Sequence, residues 1–382
     1  MSQKLKYCLV AVVTAIVTAM AMCCIMFYAL GGSAAKAVDY LRFIMTAQFV
    51  ESKFVDNVTT ETLINGAIDG LMKSLGDKYS VYLDESKFKQ LNEINHGSFG
   101  GIGVVMSFAE PGHCRIMSVM DNAPGKVAGL EPNDEIIAVE GVPVASLQPE
   151  EIVYRIRGAE GTQVVLTVRR EGQEDQDYTL TRSNIHVDTA AGDVIPDTEI
   201  GYIRIASFSE NTAEEFKKAM TMQREKGIKG LIIDLRANPG GLIKSCVDIA
   251  DMVVPAGDVV SVVDKDGNRE VYQSHKKDAD MPIVVLIDNN SASAAEILAG
   301  ALKDRQAATL VGVKSYGKGS VQTILPLFNG EGIKLTVAKY YTPSGISIDG
   351  VGIEPDVEIA MPEKPATDVQ LAKAIEVMKG KI

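Results

Sequence analysis

The spacing of apolar positions changes several times along this chain of 382 residues. The first run, CLVAVVTAIVTAMAMCCIMFYAL from Cys8 to Leu30, is uncharged throughout. As a helix rising about 1.5 Å per residue it would reach roughly 35 Å, enough to cross a hydrocarbon core of about 30 Å. Residues 1–36 are therefore expected to form a cytoplasmic tip and a single-pass membrane anchor over about 8–30, with the rest of the chain extracytoplasmic. A cleaved signal peptide ending at Ala35-Lys36-Ala37 is the rival, but its apolar part normally runs only about 7–15 residues. Lys4 and Lys6 before the run nearly balance Lys36 and Arg42 after it; the amino terminus and Asp39 favour an inward N-terminus. Beyond it, VTTETLINGAIDGLMKSLG carries an apolar stripe at Leu63, Ile64, Ile68, Leu71 and Met72, with Thr59 or Thr60 as N-cap. It reads as a packing or dimerisation helix.

A different pattern begins at Gly97. Short alternating strands (SFGGIGVVMSF, CRIMSVM, TQVVLTVRR) are broken by turn signals such as APG, PND and EG, with one helix near Pro149–Ile156. This is a compact β-rich module over residues 97–182. From Glu199 onward strands alternate with helices: IGYIRIASF, NTAEEFKKAMTMQREKG, KGLIIDLR, LIKSCVDIADMVV, PIVVLID, AAEILAGALKD and ATLVGV. That alternation implies βαβ units around a mainly parallel sheet, so the fold class is α/β, α+β overall. Sites in such sheets gather where a strand hands over to a helix. TDVQLAKAIEVMKG forms a final helix.

Composition narrows the function. The net charge is −12, from 38 basic and 50 acidic residues, with no basic block. That argues against nucleic acid, which needs clustered Lys and Arg. His96, His113, His186 and His275 show no metal-ligand spacing, and no HExxH or CxxC occurs, so no metal is expected. Cys8, Cys23 and Cys24 lie in the apolar run, and the separation of Cys114 from Cys246 gives no disulfide signature.

The candidate chemistry sits in DNNSASAAEILAG, between a strand and a helix. Ser293-Ala-Ala-Glu296 fits a capping box, which would make Ser293 a helix start and nothing more. The alternative is a nucleophile at a helix N-terminus, with the Ala294 amide beside it to hold an oxyanion. Such a serine needs a base. Scattered histidines and the absence of GxSxG leave a Ser-His-Asp triad unsupported. Lysine, with an ordinary pKa around 10.4, becomes a base when burial lowers that value. Lys318, between Gly317 and Gly319 in VGVKSYGKGSVQTILPLF, is the candidate, against a plain surface-loop lysine; Gln322 follows where its amide could orient it. Ser315–Lys318 and Ser86–Lys89 both fit S-x-x-K, but the first lies in a glycine-flanked loop and the second in a charged stretch, and neither KTG nor SDN accompanies them.

Six segments in order carry a resemblance: SLGDKYSVYL at 74–83, GGIGV at 100–104, DLRANPGG at 234–241, NNSASAAEILAGALKD at 289–304, GVKSYGKGSVQ at 312–322 and YYTPSGISIDGVGIEPDV at 340–357. Together they resemble the C-terminal processing peptidases, or tail-specific proteases, which are PDZ-containing serine proteases with a Ser–Lys dyad. The resemblance implies Ser293 as nucleophile, with Ser291 supporting the turn, Lys318 as general base, and Gln322 positioning Lys318. It implies an oxyanion hole from the amides of Ala294 and of Gly240 or Gly241. Gly100, Gly101, Ile102 and Gly103 match the PDZ loop that holds a terminal carboxylate, an ordinary glycine turn being the alternative. Arg157 is a regulatory candidate that reaches the protease core on activation, and Asp304 reads as structural. The implied division is the anchor (1–36), an N-terminal helical region and start of the protease core (37–96), the PDZ domain (97–182), a crotonase-like serine peptidase core (183–360) and a C-terminal helix (361–382). No cofactor is implied. Partners are protein substrates with exposed C-terminal tails, the membrane, and a second copy in a possible homodimer. A catalytically silent PDZ scaffold is the alternative function.

Overall fold

A computed structural model describes residues 3–29, 32–276, 281–362 and 367–382. The chain divides into two compact units, residues 1–82 and 83–382.

The first unit is helical: Gln3–Ala29, Ala34–Lys53 and Thr60–Lys73. Thr59 caps the third helix, its hydroxyl accepting from the Thr62 amide at 3.1 Å. Of the expected stripe, Met72 is buried while Ile64 and Leu71 are exposed. The expected membrane-crossing helix is corrected here. Among the described residues no helix is long and apolar enough to cross a membrane. The helix Gln3–Ala29 has 27 residues but opens on Gln3, Lys4 and Lys6. Half of its residues 11–22 are alanine or threonine, which add little apolar surface. Leu30, the end of the apolar run, lies outside the described residues. The single-pass anchor and the extracytoplasmic placement derived from it fall together.

The second unit holds a mixed α/β core with an inserted β-rich module. The core sheet runs Ala190–Ala191, Ile200–Ile205, Gly230–Asp234, Ile283–Ile287, Ala308–Gly312, Val357–Glu358 in spatial order, parallel except for the first pair. Strands covered on both faces read as unbroken apolar runs, which is why GLIID and IVVLI are buried at every position. One face (Ile203, Leu231, Ile233, Val285, Ile287) packs on helices Thr212–Glu225, Ile243–Val253 and Ala294–Asp304. The other (Ile200, Ile232, Val284, Leu286, Val311) packs on the C-terminal helix Val369–Lys379. A second, antiparallel sheet pairs Gly257–Asp264 with Arg269–Ser274 and with Gly332–Tyr341, which in turn pairs with Ser320–Pro326.

The inserted module is an antiparallel sheet ordered Val104–Ser107, Cys114–Val119, Glu135–Val139, Gln163–Arg169, Gln176–Thr181, with helix Pro149–Ile156 against it. Its core holds Ile102, Ile116, Ile136, Leu166 and Leu180. Burial pushes the Cys114 thiol in that core up to about 12. A two-stranded stalk, Ser98–Gly101 against Ser183–His186, joins module to core.

Candidate active site

The corner after strand Ile283–Ile287 is wired by side-chain-to-backbone hydrogen bonds. Asp288 Oδ1 accepts from the amides of Ala237 (2.9 Å) and Asn290 (3.0 Å). Ser291 is fully buried; its hydroxyl donates to the Leu235 carbonyl at 2.8 Å and accepts from the Asp288 amide at 2.9 Å. All its polar capacity goes into the turn, so it is a structural residue. The Ala292 amide donates to the Asn238 carbonyl at 2.9 Å, tying the corner to the NPGG turn.

Ser293 follows with φ 55° and ψ −117°, a conformation that L-residues with a side chain rarely adopt. It sits at the N-cap of helix Ala294–Asp304. Its own amide donates to Glu296 Oε2 at 2.9 Å. Glu296 is fully buried, and it also accepts from Ser315 Oγ (2.6 Å), the Gly317 amide (2.7 Å) and the Lys318 amide (2.9 Å). Burial pushes its carboxyl above the ordinary value, against four donors that pull the other way. Tyr340 completes the clasp: its hydroxyl donates to the Ser293 carbonyl at 3.2 Å and to the Lys318 carbonyl. One carboxylate and one phenol thus hold the backbones of both Ser293 and Lys318.

Ser293, Lys318, Gln322, Gly240 and Gly241 line one cleft of about 340 Å³, with Leu91, Ile94, Ile297, Ile324, Lys334 and Tyr340 among its other walls. Gln322 Nε2 donates to Ser320 Oγ (2.9 Å) and Thr336 Oγ1 (3.2 Å), which leaves Oε1 as its acceptor. The two glycines of NPGG differ. The Gly240 amide donates to Asn238 Oδ1 at 2.8 Å and is committed there. A Cβ on Gly240 would lie 2.7 Å from Ser293 Cβ, so its missing side chain is what lets the turn approach the serine. The amides of Gly241 and Ala294 make no hydrogen bond among the described residues.

The other predicted residues lie elsewhere. Asp304 Oδ2 accepts from Ser344 (amide 2.9 Å, hydroxyl 2.6 Å) and anchors the far end of the helix. Gly100 and Gly101 are paired with Asn184 and Ser183 in the stalk, whereas the amides of Ile102 and Gly103 make no hydrogen bond among the described residues. Ile102 is buried in the module core, and Gly103 has φ 69°. Arg157 donates to Glu93 Oε2 at 3.1 Å, and its guanidinium lies 4.0 Å over the Phe99 ring. Glu93 and Arg157 line a second cavity of about 260 Å³. Helix Glu85–His96 separates the two spaces: Leu91, Ile94 and Asn95 wall the cleft, and Ser86, Lys89, Gln90 and Glu93 wall the other cavity.

Among the described residues one group of metal-ligand type gathers within 4.8 Å: His186, Asp188 and Glu215. It lies outside the cleft, and His186 Nε2 is 2.8 Å from Glu215 Oε1. Sequence reading passed over Glu296 as chemistry and assigned no role to Tyr340 or Lys334. Tyr340 did open the YYTPSG run, which is the signal that could have found it.

Similarity to known proteins gives the family of the chain. The pattern of peptidase family S41 matches residues 199–359, that of PDZ domains residues 115–170, and that of the "Activating protease CtpB N-terminal domain" residues 33–87. Fold and sequence thus define a PDZ-bearing serine peptidase. The "Carboxy-terminal processing protease CtpB" of Bacillus subtilis (strain 168) is 38% identical over 350 residues, 90% of this chain and 72% of the relative. The "Carboxyl-terminal-processing protease" of Synechocystis sp. is 37% identical over 327 residues, 82% of this chain and 76% of the relative. A solved photosystem II D1 C-terminal processing protease superposes with a TM-score of 0.50 at 28% identity, covering 88% of this chain and 96% of its own. This chain belongs to peptidase family S41, the carboxy-terminal processing serine peptidases.

Proposed function

We propose that the peptidase works by a Ser293–Lys318 dyad. Ser293 Oγ attacks a substrate carbonyl while Lys318 Nζ takes its proton. The amides of Gly241 and Ala294 hold the oxyanion of the tetrahedral intermediate. On its collapse Lys318 returns the proton to the leaving amine, and the acyl group stays on Ser293. Lys318 then takes a proton from water as its oxygen attacks the acyl carbon, and gives that proton to Ser293 Oγ as the product acid leaves. Gln322 Oε1 accepts from the Lys318 amine and keeps Nζ turned to the serine.

The observation that carries this reading is the shared clasp. Glu296 and Tyr340 each bond the backbone of both residues, and both residues line one cleft beside two unused amides. The silent-scaffold alternative offers no reason for a strained serine held this way. The PDZ domain would capture the substrate's tail. Val104–Ser107 is an edge strand to which a peptide can add, and the amides of Ile102 and Gly103 would take its carboxylate. Arg157 is proposed as a regulatory residue, held by Glu93 until a tail docks.

The test uses the purified full chain and an unstructured protein such as casein. Ser293→Ala should lose at least about a thousand-fold in kcat/KM, as dyad removal does elsewhere. Mass spectrometry of the wild type should find an acyl group on Ser293. Unchanged cleavage by Ser293→Ala overturns the proposal.

A further inference from the structure

The charges around the cleft are one-sided. Among the described residues that line it, Lys318 and Lys334 are the only basic side chains and none is a carboxylate. Glu296 lies beneath it, fully buried and committed to its four donors.

Lys334 differs from the other lysines of this region. Lys303 reaches Asp356 at 3.1 Å, Lys314 reaches Glu354 at 2.8 Å and Lys339 reaches Asp349 at 3.3 Å. The Lys334 side chain makes no hydrogen bond or ion pair among the described residues. Burial alone holds its pKa below that of ordinary lysine, with no charged partner to oppose the effect. A half-buried amine without a partner is a cost to the folded state, which a ligand's charge would offset.

Strand register fixes where this amine stands. Gln322 lies opposite Thr336, and Ile324 lies opposite Lys334. Residues two apart share a face, so Lys334 is on the same face as Gln322, its diagonal neighbour at about 7–8 Å between Cα atoms. A substrate advancing about 3.3 Å per residue along this strand would pass Lys334 within roughly three residues of the bond held at Ser293.

We infer that Lys334 forms an anion-binding subsite of the cleft, taking a carboxylate of the substrate chain within about three residues of the scissile bond. The carboxylate comes either from an acidic side chain or from the chain terminus. This inference rests on Ser293 being the nucleophile. It makes Lys334 a specificity residue and gives it no part in proton transfer. On binding, the ammonium and the carboxylate form a pair inside a partly dry cleft, where such pairs are stronger than in water.

The experiment pairs peptides that differ by one group: Asp against Asn at each position within three residues of the cut, and a free C-terminus against its amide. The wild-type full chain should show a KM for carboxylate peptides at least about five-fold below that of their neutral twins. Lys334→Gln should abolish that ratio through KM, and Lys334→Arg should restore it. Loss confined to the Asp/Asn pairs assigns the side-chain source; loss confined to the free/amidated pairs assigns the terminus. A ratio that survives Lys334→Gln, a wild type with no preference, or an effect on kcat alone overturns the inference. None of these touches the proposed function, which falls only if Ser293→Ala cleaves the same peptides. Cleavage of the neutral peptides by Lys334→Gln shows that the variant is folded.

Discussion

Ser293 carries more backbone strain than its neighbours, and Glu296 shows how the strain is held. A side-chain residue at φ 55°, ψ −117° costs on the order of 1–3 kcal/mol, so its surroundings must over-determine it. Glu296 does so by accepting from four donors, three of them backbone amides. Glu296→Gln keeps the size but turns an amide group toward donors. It should lower kcat at least ten-fold with little change in KM, and destabilise the fold by about 2–4 kcal/mol in urea unfolding. A variant with wild-type kcat would show that the clasp is dispensable. The sequence offered Ser293 as either a cap or a nucleophile, because S-x-x-E serves both. In the structure the motif acts on the backbone, with Glu296 holding the serine's amide. The choice between Gly240 and Gly241 was illegible, because it depends on Asn238 accepting one amide and leaving the other. Lys334 was illegible for a similar reason: nothing in KLTV says which face of a strand meets a cleft 40 residues away in sequence.

The strands and helices that deliver these residues differ in how openly they read. Parallel strands buried on both faces are continuous apolar runs, so GLIID and IVVLI, with the helices after them, stand out at once. The antiparallel sheet of Gly257–Ser274 and Ser320–Tyr341 does not, because its strands mix exposed and buried positions without strict alternation. The segment after Lys318 reads as an apolar strand, but its pairing with Gly332–Tyr341 does not show in the pattern. The NPGG turn is legible as a turn but not as a steric requirement. At Gly240, φ is 99° and an added Cβ would meet both Ser293 Cβ and, at 2.9 Å, the Ala294 amide nitrogen. Gly240→Ala should therefore cut kcat/KM at least about a hundred-fold while leaving much of the fold intact. Circular dichroism and the casein assay together would check this. An active, well-folded variant would show that catalysis does not need this close approach of the turn. The N-terminal run errs in the opposite direction: it is long and uncharged, yet among the described residues no helix is long and apolar enough to cross a membrane.

At the scale of the molecule, an ion-pair network ties the C-terminal helix to the core sheet. Arg236 donates to both oxygens of Asp368 at 2.8 Å and to Asp234 Oδ2 at 2.6 Å. Hydrogen bonding to Arg236 holds the Asp368 carboxyl below its ordinary range. A carboxyl depressed in the folded state adds stability above its unfolded pKa, about 3.9, and loses it as pH falls through the folded value. Asp368→Asn should thus melt lower than wild type at pH 7, and the gap should close as the pH drops below about 4. A gap that persists in acid would assign the loss to packing. The PDZ insertion is legible as a β-rich module, whereas the stalk is not, since it depends on pairing between distant segments. Breaking the Arg157–Glu93 pair with Glu93→Gln should change tail-dependent stimulation of cleavage more than cleavage of short peptides; an equal effect on both would remove the regulatory role. Helix Glu85–His96 gives that expectation its thermodynamic form. It is one partition between two chambers, so any shift that a docked tail imposes from one side is felt on the other. Free energies of binding are reciprocal. Whatever factor a bound tail adds to the hold on a peptide at the serine, a peptide trapped at the serine must return to the hold on the tail.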